Sequence, residues 1–137
     1  MAKTFTAPFA QTQKLLTAVL TAASVITTDA ATNTVLCATA GAEGALVTKV
    51  SLMPRATITA TAAYLFVSKD NGTTLRLIDS VLIPAYTMAA TTATPVTLFT
   101  SIGEASPMRL EAGDKLYVSI GVALASGVVA KCEWSDY

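Results

Sequence analysis

Two carboxylates in the run Glu111-Ala112-Gly113-Asp114-Lys115, and two cysteines far apart at Cys37 and Cys132, are the residues best placed by type and spacing to do chemistry. A carboxylate pair can move protons when its environments set two different pKa values. Glu111 and Asp114, however, flank a Gly-containing turn that leads into a strand, which is where solvated carboxylates normally sit. The cysteines have no CxxC spacing, and the chain has no histidine, so four ligands for a zinc ion cannot be assembled. They read as two buried thiols on strands, or as one disulfide within the chain or across subunits. Serine and threonine abound, but there is no histidine base, no GxSxG elbow and no SxxK pair to activate one. Nor is there a Gly-rich phosphate loop. No catalytic residue, metal ligand or cofactor site is assigned, and the chain reads as non-enzymatic.

A further motif is Ser68-Lys69-Asp70-Asn71-Gly72-Thr73-Thr74-Leu75. Asp-Asn-Gly between two apolar runs is a hairpin signal, with Gly72 free to take positive φ. Asp70 is expected to accept backbone N–H bonds inside the turn, with Thr73 adding a weaker one. The segment resembles the Asp-box, S-x-D-x-G-x-T-W, at Ser68, Asp70, Gly72 and Thr74, with Leu75 in place of the tryptophan. In the proteins that carry it the Asp-box is a folding element away from the catalytic site, so the resemblance implies a hairpin and no glycosidase. A calcium loop through Asp70, Asn71 and Asp79 would lack the acidic ladder and closing glutamate of such loops.

The elements that must position these residues are strands. Leu116, Val118, Ile120 and Val122 alternate with Lys115, Tyr117 and Ser119, the pattern of a half-buried strand. Val128, Ala130, Cys132 and Trp134 alternate with Lys131, Glu133 and Ser135, making Trp134 a core anchor rather than a sugar platform. Leu46, Thr48, Val50 and Leu52 form an inward set against Val47, Lys49 and Ser51, after a turn at Gly41 to Gly44. Between Thr57 and Val67 both faces are apolar or small, which suits a central strand covered on both sides. Thr34 to Thr39, Leu75 to Ile83 and Pro95 to Ile102 add further strands, with Pro84 and Pro95 at strand ends. Gln11 to Ile26 fits either a helical face or a strand, and its Thr and Val content favours a strand. Together these give an all-β chain: a single-domain β-sandwich or jelly roll of about eight strands over 14–137, preceded by an extended N-terminal arm over 1–13.

Composition bounds the partners. Only 13% of the 137 residues are charged, while 53% are hydrophobic, against about 25% charged in ordinary soluble domains. Thr and Ala make up about a third of the chain, far above average usage. Thr favours strands and Ala permits close approach of backbones, so flat surfaces can meet with little loss of side-chain entropy. Something other than water is expected to cover part of this surface. Nine basic and nine acidic residues cancel, which removes the long-range field that collects nucleic acid or anionic lipid. Lys49 and Arg55 make at most a local basic spot. The uncharged stretch from Ser80 to Gly103 is broken by Pro84 and Pro95 and does not make a membrane helix.

The segments PRATITATAAYLFVSKDNGTT, from Pro54 to Thr74, and RLEAGDKLYVSIGVAL, from Arg109 to Leu124, resemble small accessory structural proteins of tailed-bacteriophage virions. The likeness covers about the C-terminal two thirds of the chain. It implies a capsid decoration or cement subunit located in the virion, bound to the major capsid protein or other virion subunits, and homo-oligomeric, since many such proteins are trimers. A neck, tail or fibre component, or a host-carbohydrate-binding module, is the alternative. Under the cement reading the expected contact residues are Phe5, Pro8 and Phe9 in the arm, with Tyr86 and Met88 in the uncharged stretch.

Overall fold

The computed structural model describes residues 12–137. Within them the chain is all-β, with nine strands and no helix. In chain order these are β1 (Thr12–Leu20), β2 (Val35–Thr39), β3 (Ala45–Pro54), β4 (Thr61–Ser68), β5 (Arg76–Ile83), β6 (Thr97–Leu98), β7 (Met108–Leu110), β8 (Lys115–Ile120) and β9 (Val128–Asp136). They form two antiparallel sheets, a β-sandwich. Sheet A has the order β1-β9-β3-β6, with β7 also pairing β3, and sheet B has the order β2-β8-β4-β5. The expected arm over 1–13 overlaps β1 at Thr12 and Gln13, which pair with Asp136 and Ser135; its remainder lies outside the described residues. Among the described residues no helix is long and apolar enough to cross a membrane.

The core lies between the sheets. Leu116, Val118 and Ile120 of β8 are wholly buried there, as are Val128 and Cys132 of β9, with Ala130 and Trp134 nearly so. Trp134 therefore faces inward, as its alternation implies. Both cysteines are buried free thiols.

Three of the expected strand patterns are altered in the structure, each for a visible reason. In β3 the inward set is Ala45, Val47, Val50 and Leu52 rather than Leu46, Thr48, Val50 and Leu52. A register shift between Val47 and Lys49 inserts one extra residue opposite β9, so the inward face changes parity at Thr48. The expected strand over Pro95 to Ile102 shrinks to Thr97–Leu98. Phe99 and Ile102 both reach the core, and a spacing of three requires a turn, closed by the Ile102 N–H donating to the Phe99 carbonyl at 3.3 Å. Val122, expected on the inner face, is 44% exposed. The strand stops at Ile120 because Gly121 turns the chain, its N–H donating to the Ala62 carbonyl at 2.9 Å.

Candidate functional site

The outer faces of the two sheets differ in chemistry. On sheet A, Lys49 stands opposite Glu133 across the β3–β9 ladder, and Lys131 opposite Ser51. Exposed Leu15 stands opposite Glu133, and exposed Val19 and Met53 flank Val129 in one cross-strand row, so charged and apolar rows alternate along this face. Lys49, expected to make a basic spot with Arg55, thus has an acidic cross-strand neighbour. A shallow cleft of about 380 Å³ on this side is lined by Gln13, Leu15, Thr48, Glu104 and Glu133 among others.

Sheet B is different. The register of β4 against β8 pairs Leu65 with Val118 and Val67 with Leu116, all turned to the core, and between them pairs Phe66 with Tyr117 on the outside. Tyr64 pairs with Ser119 on the same outer face. From β5, Leu77 faces outward beside Phe66, Ser80 beside Tyr64 and Leu82 beside Ala62. None of these outer positions carries a charge.

Part of this face is covered by the chain itself. After β1, the Ser24 N–H donates to the Ile120 carbonyl at 2.8 Å, and the Leu75 N–H donates to the Asp29 carbonyl at 2.6 Å. Ile120 ends β8 while Leu75 precedes β5 at the opposite end of the sheet, so residues 24–29 cross the outer face. Asn33 Nδ2, donating to the Ala23 carbonyl at 2.7 Å, ties the returning arm to the outgoing one. Asp29 and Arg76 close the far end at 2.8 Å. This crossing accounts for the complete burial of Phe66 and Ser119 on a face turned away from the core. The Ser119 hydroxyl has no hydrogen-bond partner.

What remains open is apolar. Leu82 is 63% exposed and Leu77 45%; Ile78, extruded by a register shift opposite Leu65 and Phe66, is exposed beside them. Val122, after the turn at Gly121, is also exposed, its N–H held by the Thr61 hydroxyl at 3.0 Å. Tyr64 and Tyr117 lie half-buried in the floor. Two glycines make room for their rings: a Cβ on Gly121 would meet the Tyr64 hydroxyl at 3.1 Å, and one on Gly72 the Tyr117 hydroxyl at 2.6 Å. The nearby charges are engaged elsewhere, Arg76 with Asp29 and Asp79 with the Ser101 hydroxyl.

The motif at 68–75 is a hairpin connection that supports this floor. Asn71 and Gly72 both have positive φ. Asp70 Oδ1 accepts from the Thr74 N–H at 2.8 Å and from the Ser68 hydroxyl at 3.0 Å, and the Ser68 oxygen accepts from the Gly72 N–H at 2.8 Å. Ser68, rather than Thr73, thus supplies the second bond. The Thr74 bond chiefly holds the Asp70 carboxyl below its ordinary value.

The carboxylate pair is not set up as an acid and a base. Asp114 is buried, not solvated as expected. It accepts from the Glu111 N–H at 2.9 Å and from Lys69 Nζ at 2.9 Å, and the same ammonium reaches Glu111 at 3.1 Å. Asp114 and Glu111 raise the Lys69 pKa. The trio clamps the 68–75 connection to the turn before β8.

Of the expected contact residues, Phe5, Pro8 and Phe9 lie outside the described residues. Tyr86 packs half-buried against the core, its backbone paired with Ile58 and its hydroxyl 3.3 Å from the Ala93 carbonyl. Met88 is 37% exposed on the same loop, its N–H donating to the Thr57 hydroxyl at 3.0 Å. Leu77 and Leu82 carry no sequence signal of their own as surface residues, and Val122 alternates as an inner-face residue. The only signal for them was the two-sided apolar character of the neighbouring β4.

Comparison with protein-family models, with curated proteins and with solved structures finds no match to this chain.

Proposed function

We propose that this chain is a non-enzymatic structural subunit that binds a protein surface through the open part of the sheet B outer face. The observation that carries this reading is the contrast between the two faces: on sheet B the outward Tyr64, Phe66, Leu77, Ser80 and Leu82 carry no charge and Leu77 and Leu82 are exposed, while on sheet A Lys49, Lys131 and Glu133 stand among the outward positions. Apolar surface gains about 25 cal/mol for each Å² removed from water, and contiguous apolar patches mark interaction sites. The tyrosine rings add rigid contact area at little entropic cost.

The resemblance of Pro54 to Thr74 and Arg109 to Leu124 to phage virion proteins gives the reading its place: a capsid decoration or cement subunit, oligomeric, seated on the major capsid protein. A neck, tail or fibre position uses the same surface chemistry. The burial of Trp134, Phe66 and Phe99 weighs against a carbohydrate platform, which needs exposed aromatic faces.

The test is light scattering after size-exclusion chromatography of the protein alone and mixed with capsid particles that lack it. A stable oligomer that binds the particles and raises their melting temperature supports the cement role. A monomer that ignores the particles overturns it.

A further inference from the structure

We propose that Cys37 and Cys132 are the two halves of an inter-sheet cross-link, closed to a disulfide by a small-molecule disulfide oxidant such as glutathione disulfide. The site is built by the fold and is independent of the docking face. Cys132 faces the core from β9, in sheet A, and Cys37 belongs to β2, in sheet B. The β2–β8 register shifts between Leu36 and Ala38, which leaves Cys37 as the extra residue of a bulge. Bulges re-aim side chains. Here Cys37 and Ala38, consecutive in sequence, are both buried in the core, whereas regular alternation would turn one of them outward. Small residues around the pair, Ala38 and Ala130, allow the sheets to approach, and Cα atoms of β2 and β9 come within 8 Å. Disulfides need Cα separations of roughly 4.4–6.8 Å. The neighbouring Cys132 thiol, together with burial, raises the Cys37 pKa.

The chemistry is a two-step exchange. One cysteine, as its thiolate, attacks a sulfur of glutathione disulfide; that S–S bond breaks and glutathione leaves, taking up a proton. The second cysteine loses its proton and displaces the other glutathione from the mixed disulfide, forming the Cys37–Cys132 bond. Two protein thiols are oxidised, and one glutathione disulfide is reduced to two glutathione molecules. The raised thiol pKa and the burial of both sulfurs make attack slow in the closed sandwich. β2 is an edge strand of five residues, so its local opening is the route by which Cys37 meets the oxidant.

The test uses the full chain, incubated with glutathione disulfide with and without sub-denaturing urea, then quenched by alkylation. The expected product is a monomer lighter by two hydrogens, with a single linked peptide pair containing Cys37 and Cys132. It should form faster in urea and melt higher than the reduced form by on the order of 5–10 °C. Cys37→Ala and Cys132→Ala should each abolish the product, and the readouts on the unsubstituted chain stand even where a variant folds poorly. Stable glutathione adducts, disulfide-linked dimers, or two thiols that still alkylate after urea-assisted oxidation would each overturn the proposal. So would a linked monomer that melts no higher than the reduced one.

Discussion

The hydroxyl of Tyr117 occupies the space beside Gly72, 2.6 Å from where a Cβ would stand. Gly72 therefore has two constraints, a φ of +89° and the close approach of an aromatic ring from β8. Gly72→Ala should destabilise the protein by about 2–4 kcal/mol, from left-handed strain and displacement of the ring. Gly113 has a similar φ of +79° but nothing within 4 Å of its Cβ position. Gly113→Ala should cost only about 1 kcal/mol. Urea denaturation of both variants separates crowding from backbone strain; equal losses would show that Tyr117 does not rest on Gly72.

Leu82→Asp tests the open face. Leu82 is 63% exposed, so the fold should change by no more than about 1 kcal/mol, while association with the partner particle or between subunits should fall at least tenfold. Leu15→Asp, at a residue 59% exposed on sheet A, is the matched control and should leave association intact. Sedimentation and particle pull-down read both. Loss in the control with retention in Leu82→Asp would move the contact surface to sheet A.

Thr61 holds the turn after β8 to the start of β4: its hydroxyl accepts from the Val122 N–H at 3.0 Å and donates to the Ala62 carbonyl at 3.1 Å. Thr61→Val keeps the shape and orphans the donor, at about 1–3 kcal/mol. Thr61→Ser should recover most of that loss. Thermal melting compares the two.

The 68–75 connection titrates at both ends of the pH range. Asp70 has a lowered pKa in the folded protein, so its contribution is present above the unfolded carboxylate range and is lost as pH falls below about 4. Asp70→Asn should flatten the acid limb of the stability profile. Lys69 has a raised pKa, so its contribution is present below the unfolded value and lost as pH rises past about 10.5. Lys69→Met should flatten the alkaline limb and leave the acid limb to Asp70. Denaturation midpoints across pH check both signs.

Much of the fold is legible in the sequence because one face of each sheet is buried and the strand period is two. Leu116, Val118 and Ile120, or Val128, Ala130, Cys132 and Trp134, declare their facing without help. Bulges are not legible, because Thr48, Cys37 and Ile78 each change parity through a ladder irregularity that depends on the partner strand. The short β7 (Met108–Leu110) escapes for a related reason: three residues after Pro107 carry no period, and only pairing with β3 makes them a strand. The candidate surface was hidden because an apolar residue reads as core until topology says what covers it. Phe66 and Leu82 lie on one outer face, yet the segment over 24–29 buries the first and leaves the second open. The hairpin at Asp70 and Gly72 was plain, since its chemistry is local.

The strand order of sheet A sets a schedule for synthesis. β9 (Val128–Asp136) lies between β1 (Thr12–Leu20) and β3 (Ala45–Pro54) and pairs along almost the whole length of each. Both must emerge from the ribosome well before the strand that joins them. Until it arrives, each presents an unpaired edge with apolar side chains, and the nascent chain depends on delay, on chaperones, or on its own threonines to avoid premature pairing. A chain shortened before Val128 would lose the middle of a sheet rather than its margin.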